Sequence, residues 1–106
     1  MNQVSRIETL LDYINEEPGD PFTKYILALE YIKTGKDNEA LVWMQNVNQN
    51  HPDYIPNYYH YGKLLERLGK TELAEQMYSQ GMKVAQTGND QHTYLELKGA
   101  YEMLTL

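Results

Sequence analysis

Apolar positions recur at helical spacing along most of the chain. Near the start, Ile7, Leu10, Leu11 and Ile14 fall three and four residues apart and mark one face of a helix. Near the end, Tyr94, Leu97, Tyr101 and Leu104 form a second such stripe. Gly35 and Gly69 each follow an apolar helical stretch, where a residue free to adopt left-handed backbone ends a helix. Asp37 and Thr71 stand two residues after those glycines, where an N-cap side chain opens the next helix. Pro21, directly after Asp20, suits a first helical turn, which needs no proline N–H. Ser5-Arg6-Ile7-Glu8 reads as a capping box. Thr87-Gly88-Asn89-Asp90 reads as a loop whose last residue caps the final helix. The pattern predicts six helices, at about 4–16, 21–34, 38–50, 54–68, 72–85 and 91–104, in an all-α chain.

Sliding the sequence along itself by 34 residues superimposes several special residues. Pro18 falls on Pro52, Tyr25 on Tyr59, Ala28 on Gly62 and Lys33 on Arg67. Gly35-Lys36 falls on Gly69-Lys70, and Ala40 on Ala74. Each unit is therefore expected to be helix, short turn, helix. Ala28, Gly62, Ala40 and Ala74 are small where two helices must approach closely.

These residues resemble the tetratricopeptide-repeat family. The family pattern of a large aromatic, a large residue followed by a small one, an aromatic, an alanine, an aromatic and a closing proline reads Lys24, Leu27-Ala28, Tyr31, Ala40, Met44 and Pro52 in residues 21–54. In 55–88 it reads Tyr58, Tyr61-Gly62, Leu65, Ala74 and Tyr78, with Gln86 in the place of the proline. Lys24 and Met44 depart from the aromatic residues of the pattern. The resemblance implies a right-handed α-α superhelix of stacked antiparallel helix pairs, forming a single domain. Residues 1–17 would be an N-terminal capping helix, 21–54 and 55–88 the two repeats, and 90–106 a C-terminal capping helix with Lys98 in the small-residue place.

The resemblance also implies a non-catalytic role in binding a protein or peptide, on a concave face lined by the first helix of each repeat. The residues expected there are Phe22, Tyr25, Leu29 and Lys33 from the first repeat. Tyr59, His60, Lys63 and Arg67 are expected from the second, with Tyr59 equivalent to Tyr25 and Arg67 to Lys33. Together they give an aromatic row and a basic row. The expected partner lays apolar side chains on Tyr25, Leu29 and Tyr59 and offers an acidic group to Lys63 or Arg67. The competing assignment packs Tyr25 and Ile26 against Leu10, Leu11 and Ile14 and leaves Lys63 and Arg67 in solvent. Some members of the family grip a C-terminal carboxylate with a Lys/Asn clamp. The corresponding places hold Tyr25, Leu29 and His60, so no ligand of that type is expected.

Composition narrows the remaining classes. With 42% hydrophobic and 23% charged residues in 106, the chain can bury a core. Its net charge of −6 opposes a nucleic-acid partner, which needs cations to displace counterions from phosphates. There is no cysteine, hence no disulfide, thiolate metal site or Cys nucleophile. No apolar run approaches the roughly 18–20 residues of a membrane span. The first residues lack a basic segment followed by an apolar one, so the expected location is cytoplasmic. His51, His60 and His92 are scattered, and no nucleotide-binding or hydrolase motif occurs, so neither metal nor cofactor nor enzymatic activity is expected. Glu16, Glu17, Glu30, Glu66, Glu72 and Glu75 read as solvated helix faces. Tyr31, Tyr58, Tyr61 and Tyr78 read as core, and Trp43 as packed between helices or, alternatively, a binding anchor. A second functional reading is a self-associating homodimer, joined through an apolar patch of Phe22, Leu29 and Ile32 or through an end helix.

Overall fold

Six helices and tight turns account for nearly all of the chain in the computed structural model, which describes residues 3–106, with side chains from Arg6 onward. They are α1 (Gln3–Glu16), α2 (Pro21–Lys33), α3 (Asp37–Asn50), α4 (Pro56–Arg67), α5 (Thr71–Thr87) and α6 (Gln91–Leu104). The fold is an all-α helical repeat. The chain divides into two compact units, Met1–His51 and Pro52–Leu106.

The turns follow from specific residues. Gly35 and Gly69 both have φ +77°, the left-handed region that a side chain disfavours. Each lets the next amide fold back over the helix end. Lys36 N donates to Tyr31 O at 2.8 Å, and Lys70 N donates to Leu65 O at 2.8 Å. The end of α5 repeats the device with Asn89 as the left-handed residue, φ +56°, and Asp90 N on Ala85 O. The expected loop therefore begins one residue late, because Thr87 still belongs to α5. Asp20 accepts from Phe22 N at 3.0 Å and from the Thr23 hydroxyl at 2.8 Å, and Pro21 opens α2 as expected. Asp90 caps α6 through Thr93 N.

Three expected helix starts are corrected. Asp37 and Thr71 are first helical residues, and the N-caps are Lys36 and Lys70, neither with a side-chain cap bond. The fold-back at each glycine is so short that the helix restarts at once. Asp37 then places its charge in the first turn of α3, where it opposes the positive helix end. Ser5 lies within α1, which already includes Gln3, so it is not the N-cap; its side chain is outside the described residues.

In the first unit, α2 packs against both α1 and α3. Its core is Ile14, Leu27, Ala28, Ala40, Met44 and Val47. Two charged residues share this interior. Lys24 is only 7% exposed, and its ammonium donates to Asn46 Oδ1 at 2.9 Å. Glu30 is only 6% exposed and takes Arg6 Nη1 at 2.9 Å, with Lys33 Nζ at 3.7 Å. Glu30 is thus no solvated face. Burial without these partners would be costly, and the ion pair compensates for it.

In the second unit, α5 packs between α4 and α6, and α4 also touches α6. Tyr58, Tyr61, Leu64, Leu65, Met77, Tyr78 and Leu97 fill the core. Tyr58, Tyr61 and Tyr78 are therefore core residues, as their repeat positions imply, and Tyr31 is half-buried. Two glycines make room for rings. A Cβ on Gly62 would overlap the Tyr78 ring, and one on Gly81 would lie 2.6 Å from Tyr58 Cβ. The Tyr58 hydroxyl donates to Pro52 O at 2.6 Å, so the buried phenol is satisfied.

Candidate partner-binding surface

The expected contact residues fall on α2 in one unit and α4 in the other. On α2, the capped first turn holds Phe22 outward, 56% exposed. Tyr25 and Leu29 are half-buried, and Lys33 is exposed at the last turn. Lys33 is drawn toward Glu30, which it shares with Arg6. The cation at this position therefore stands beside a carboxylate that is already bonded.

On α4 the residues form a cluster. The Tyr59 and His60 rings meet edge to face, centroids 5.6 Å apart at 85°. Lys63 Nζ stands 5.6 Å from the centre of the Tyr59 ring and 3.7 Å from Glu66 Oε2. Glu66 in turn accepts a short hydrogen bond from the Tyr78 hydroxyl of α5. A buried ring thus fixes a carboxylate, and that carboxylate and Tyr59 bracket an exposed ammonium. Arg67, one turn on, is exposed.

Burial pushes the Tyr78 phenol well above its usual range, and the bond to Glu66 pushes it further. Burial also raises Tyr61. His60 is held below its ordinary value by burial, with Glu96 on α6 pulling the other way. Among the described residues, no group of three or more His, Asp or Glu could hold a metal ion. No helix of the described residues is long and apolar enough to cross a membrane.

The structure adds residues that the sequence pattern does not single out. Residue for residue, α6 corresponds to α4 at a shift of 36. Core positions Tyr58, Tyr61 and Leu64 correspond to Tyr94, Leu97 and Ala100. At that register Tyr59, Lys63 and Arg67 correspond to Leu95, Gly99 and Met103, all exposed. The signal is present in the stripe Tyr94, Leu97, Tyr101 and Leu104, but Lys98 in the small-residue place marks α6 as a mere cap.

Antiparallel helix pairs with closely approaching small residues, each closed by the same left-handed glycine turn, define an α-helical repeat protein. No family model matches the chain, and no curated protein matches it. Solved structures do. A tetratricopeptide repeat domain protein from Salinibacter ruber, in its crystal structure, is 40% identical, with a TM-score of 0.78 over 81% of this chain and 96% of that one. Its solution structure matches at 40% identity and a TM-score of 0.79, over 83% of this chain and 89% of that one. The chain belongs to the tetratricopeptide-repeat family. The TPR2B domain of yeast Sti1, in its complex with pHsp70, shares the fold at a TM-score of 0.88. It is only 13% identical, over 97% of this chain and 82% of that one.

Proposed function

We propose that the chain is a non-catalytic, cytoplasmic protein-interaction module. Its repeats are 21–54 and 55–88 of a single domain, flanked by 1–17 and 90–106. The contact residues are Phe22, Tyr25, Leu29 and Lys33 on α2 and Tyr59, His60, Lys63 and Arg67 on α4. The observation that carries this reading is the bracketed Lys63, held at 3.7 Å by Glu66 and 5.6 Å from the Tyr59 ring centre. An ammonium already oriented loses less side-chain freedom on binding than a free one. Its natural complement is a carboxylate on the partner, with Arg67 beside it and Tyr59 offering apolar area.

Family membership supports a protein or peptide as the partner. In the Sti1 domain that partner is pHsp70. Here Tyr25, Leu29 and His60 occupy the places of a carboxylate clamp, so a different ligand is expected.

Affinity capture from the native cell extract tests the assignment. Wild type is compared with a Tyr59→Ala/Arg67→Glu variant, after circular dichroism shows both folded. A protein retained only by wild type supports contact at α4. Equal retention by both proteins moves the partner to another face.

A further inference from the structure

The outward face of α6 carries an exposed apolar stripe. Leu95 is 54% exposed and Met103 is 72% exposed, and they lie four residues to either side of Gly99. The exposure is local. The cleft beside Tyr101 is lined by Glu72, Glu75, Gln76, Ser79 and Gln80 of α5, so that flank is polar.

Gly99 is the unexplained residue of this stripe. Gly62 and Gly81 are required by the rings that press on them, but a Cβ at Gly99 would meet nothing within 4 Å. Glycine is the poorest helix former short of proline, and Gly99 sits in the middle of α6. Nothing in its own unit needs the missing side chain. A close approach from outside would need it.

We infer that this face of α6 pairs with α6 of a second copy of the chain. Leu95, Gly99 and Met103 form a single i±4 ridge, notched at its centre. Two such ridges cross in the commonest mode of helix packing, and the notch lets the axes come close. A two-fold axis through Gly99 makes the contact self-complementary, because the bulky residues lie at equal distances on both sides. It sets Leu95 of each copy against Met103 of the other.

The charges complement each other under the same axis. Lys98 precedes Gly99 by one residue and Glu102 follows it by three, both on the same edge of the ridge and both exposed. The two-fold brings Lys98 of each copy beside Glu102 of the other, twice per dimer. Glu96 lies on the opposite edge, toward His60 of α4.

The contact is small. The two apolar side chains and their surroundings offer on the order of a few hundred Å² per copy, against ~800 Å² per partner in a standard interface. The dimer is therefore of the weak class, with dissociation in the range of roughly ten micromolar to one millimolar. It does not depend on the α4 contact residues. It stands or falls separately from the partner reading.

Sedimentation velocity on the full chain, from ~10 μM to ~1 mM, tests the inference. Wild type is expected to shift from monomer toward dimer mass across that range. Lys98→Glu sets two like charges together at both pairs and is expected to weaken the dimer at least about fivefold. The exchange Lys98→Glu/Glu102→Lys is expected to restore it to within about twofold. Met103→Glu is expected to abolish it. The substituted positions are all exposed on a helix, and circular dichroism checks that every variant folds. Monomer mass at every concentration overturns the inference, and so does a dimer indifferent to these substitutions.

Discussion

The two repeats solve one packing problem with different side chains. In the α2–α3 pair, Ala28 and Met44 occupy the positions that Gly62 and Tyr78 occupy in the α4–α5 pair, and all four are buried. Volume lost at one site is gained at the other, because the Tyr78 ring fills the space where a Cβ on Gly62 would stand. A second exchange sets Lys24 and Val47 against Tyr58 and Gly81. A third replaces Leu64 by Glu30, and there the first repeat needs Arg6 of α1 to neutralise it. One repeat is closed by charged and polar pairs, the other by aromatic rings. The shared geometry thus requires a total volume rather than particular residues.

The largest expected effect comes from forcing a first-repeat residue into the second without its counterpart. Gly81→Val copies Val47, but its Cβ meets Tyr58 Cβ at 2.6 Å and Leu97 Cδ1 at 2.9 Å. Tyr58 Cβ is anchored to the main chain and cannot swing away. A loss of about 3 kcal/mol or more is expected in urea unfolding.

The charged closure of the first repeat gives a smaller effect. Arg6→Ala leaves Glu30 buried with only Lys33 nearby, at 3.7 Å. A loss of about 1–2 kcal/mol is expected. It falls below that of a fully buried pair because the Arg6 side chain is 44% exposed. Glu30→Leu, which copies Leu64, is expected to be neutral or stabilising. If Glu30→Leu destabilises as much as Arg6→Ala, the ion pair contributes more than closure.

The smallest effect is a pH dependence confined to the second unit. Burial holds the pKa of His60 below its ordinary value of 6.5. The unfolded chain therefore binds the proton more readily. The contribution of His60 is fully present above pH 6.5 and is lost as pH falls through that value toward the folded pKa. His60→Ile, which copies Ile26, is expected to flatten the stability profile in that window. An unchanged slope assigns the pH dependence to other groups.

Much of this was legible in the sequence. Gly35 and Gly69 located two turns because few other residues tolerate their backbone conformation. The coincidence of glycine, proline, small and aromatic residues at a shift of 34 set the repeat length. What could not be read was pairwise. Glu30 looks like a surface residue until Arg6 is placed beside it, and that proximity comes from packing rather than spacing. Glu66 likewise gained its meaning from Tyr78, twelve residues away. The N-caps were misplaced by one residue because Asp37 and Thr71 have capping chemistry, whereas backbone bonds alone restart those helices. For the partner surface, the α4 cluster drew on residues the sequence had singled out. Leu95, Gly99 and Met103 stand outside that surface because Lys98, in the small-residue place, marks α6 as a cap.

A double-mutant cycle at Gly62 and Tyr78 tests most directly that the repeats exchange volume in pairs. Gly62→Ala alone and Tyr78→Met alone are each expected to cost about 2–3 kcal/mol, one by overpacking and the other by leaving a cavity. The double variant reproduces Ala28 with Met44. It is expected to cost about 2 kcal/mol or less in total, a coupling of at least about 2 kcal/mol. A double variant that costs the full sum of the two would contradict the account, because the two sites would then be independent.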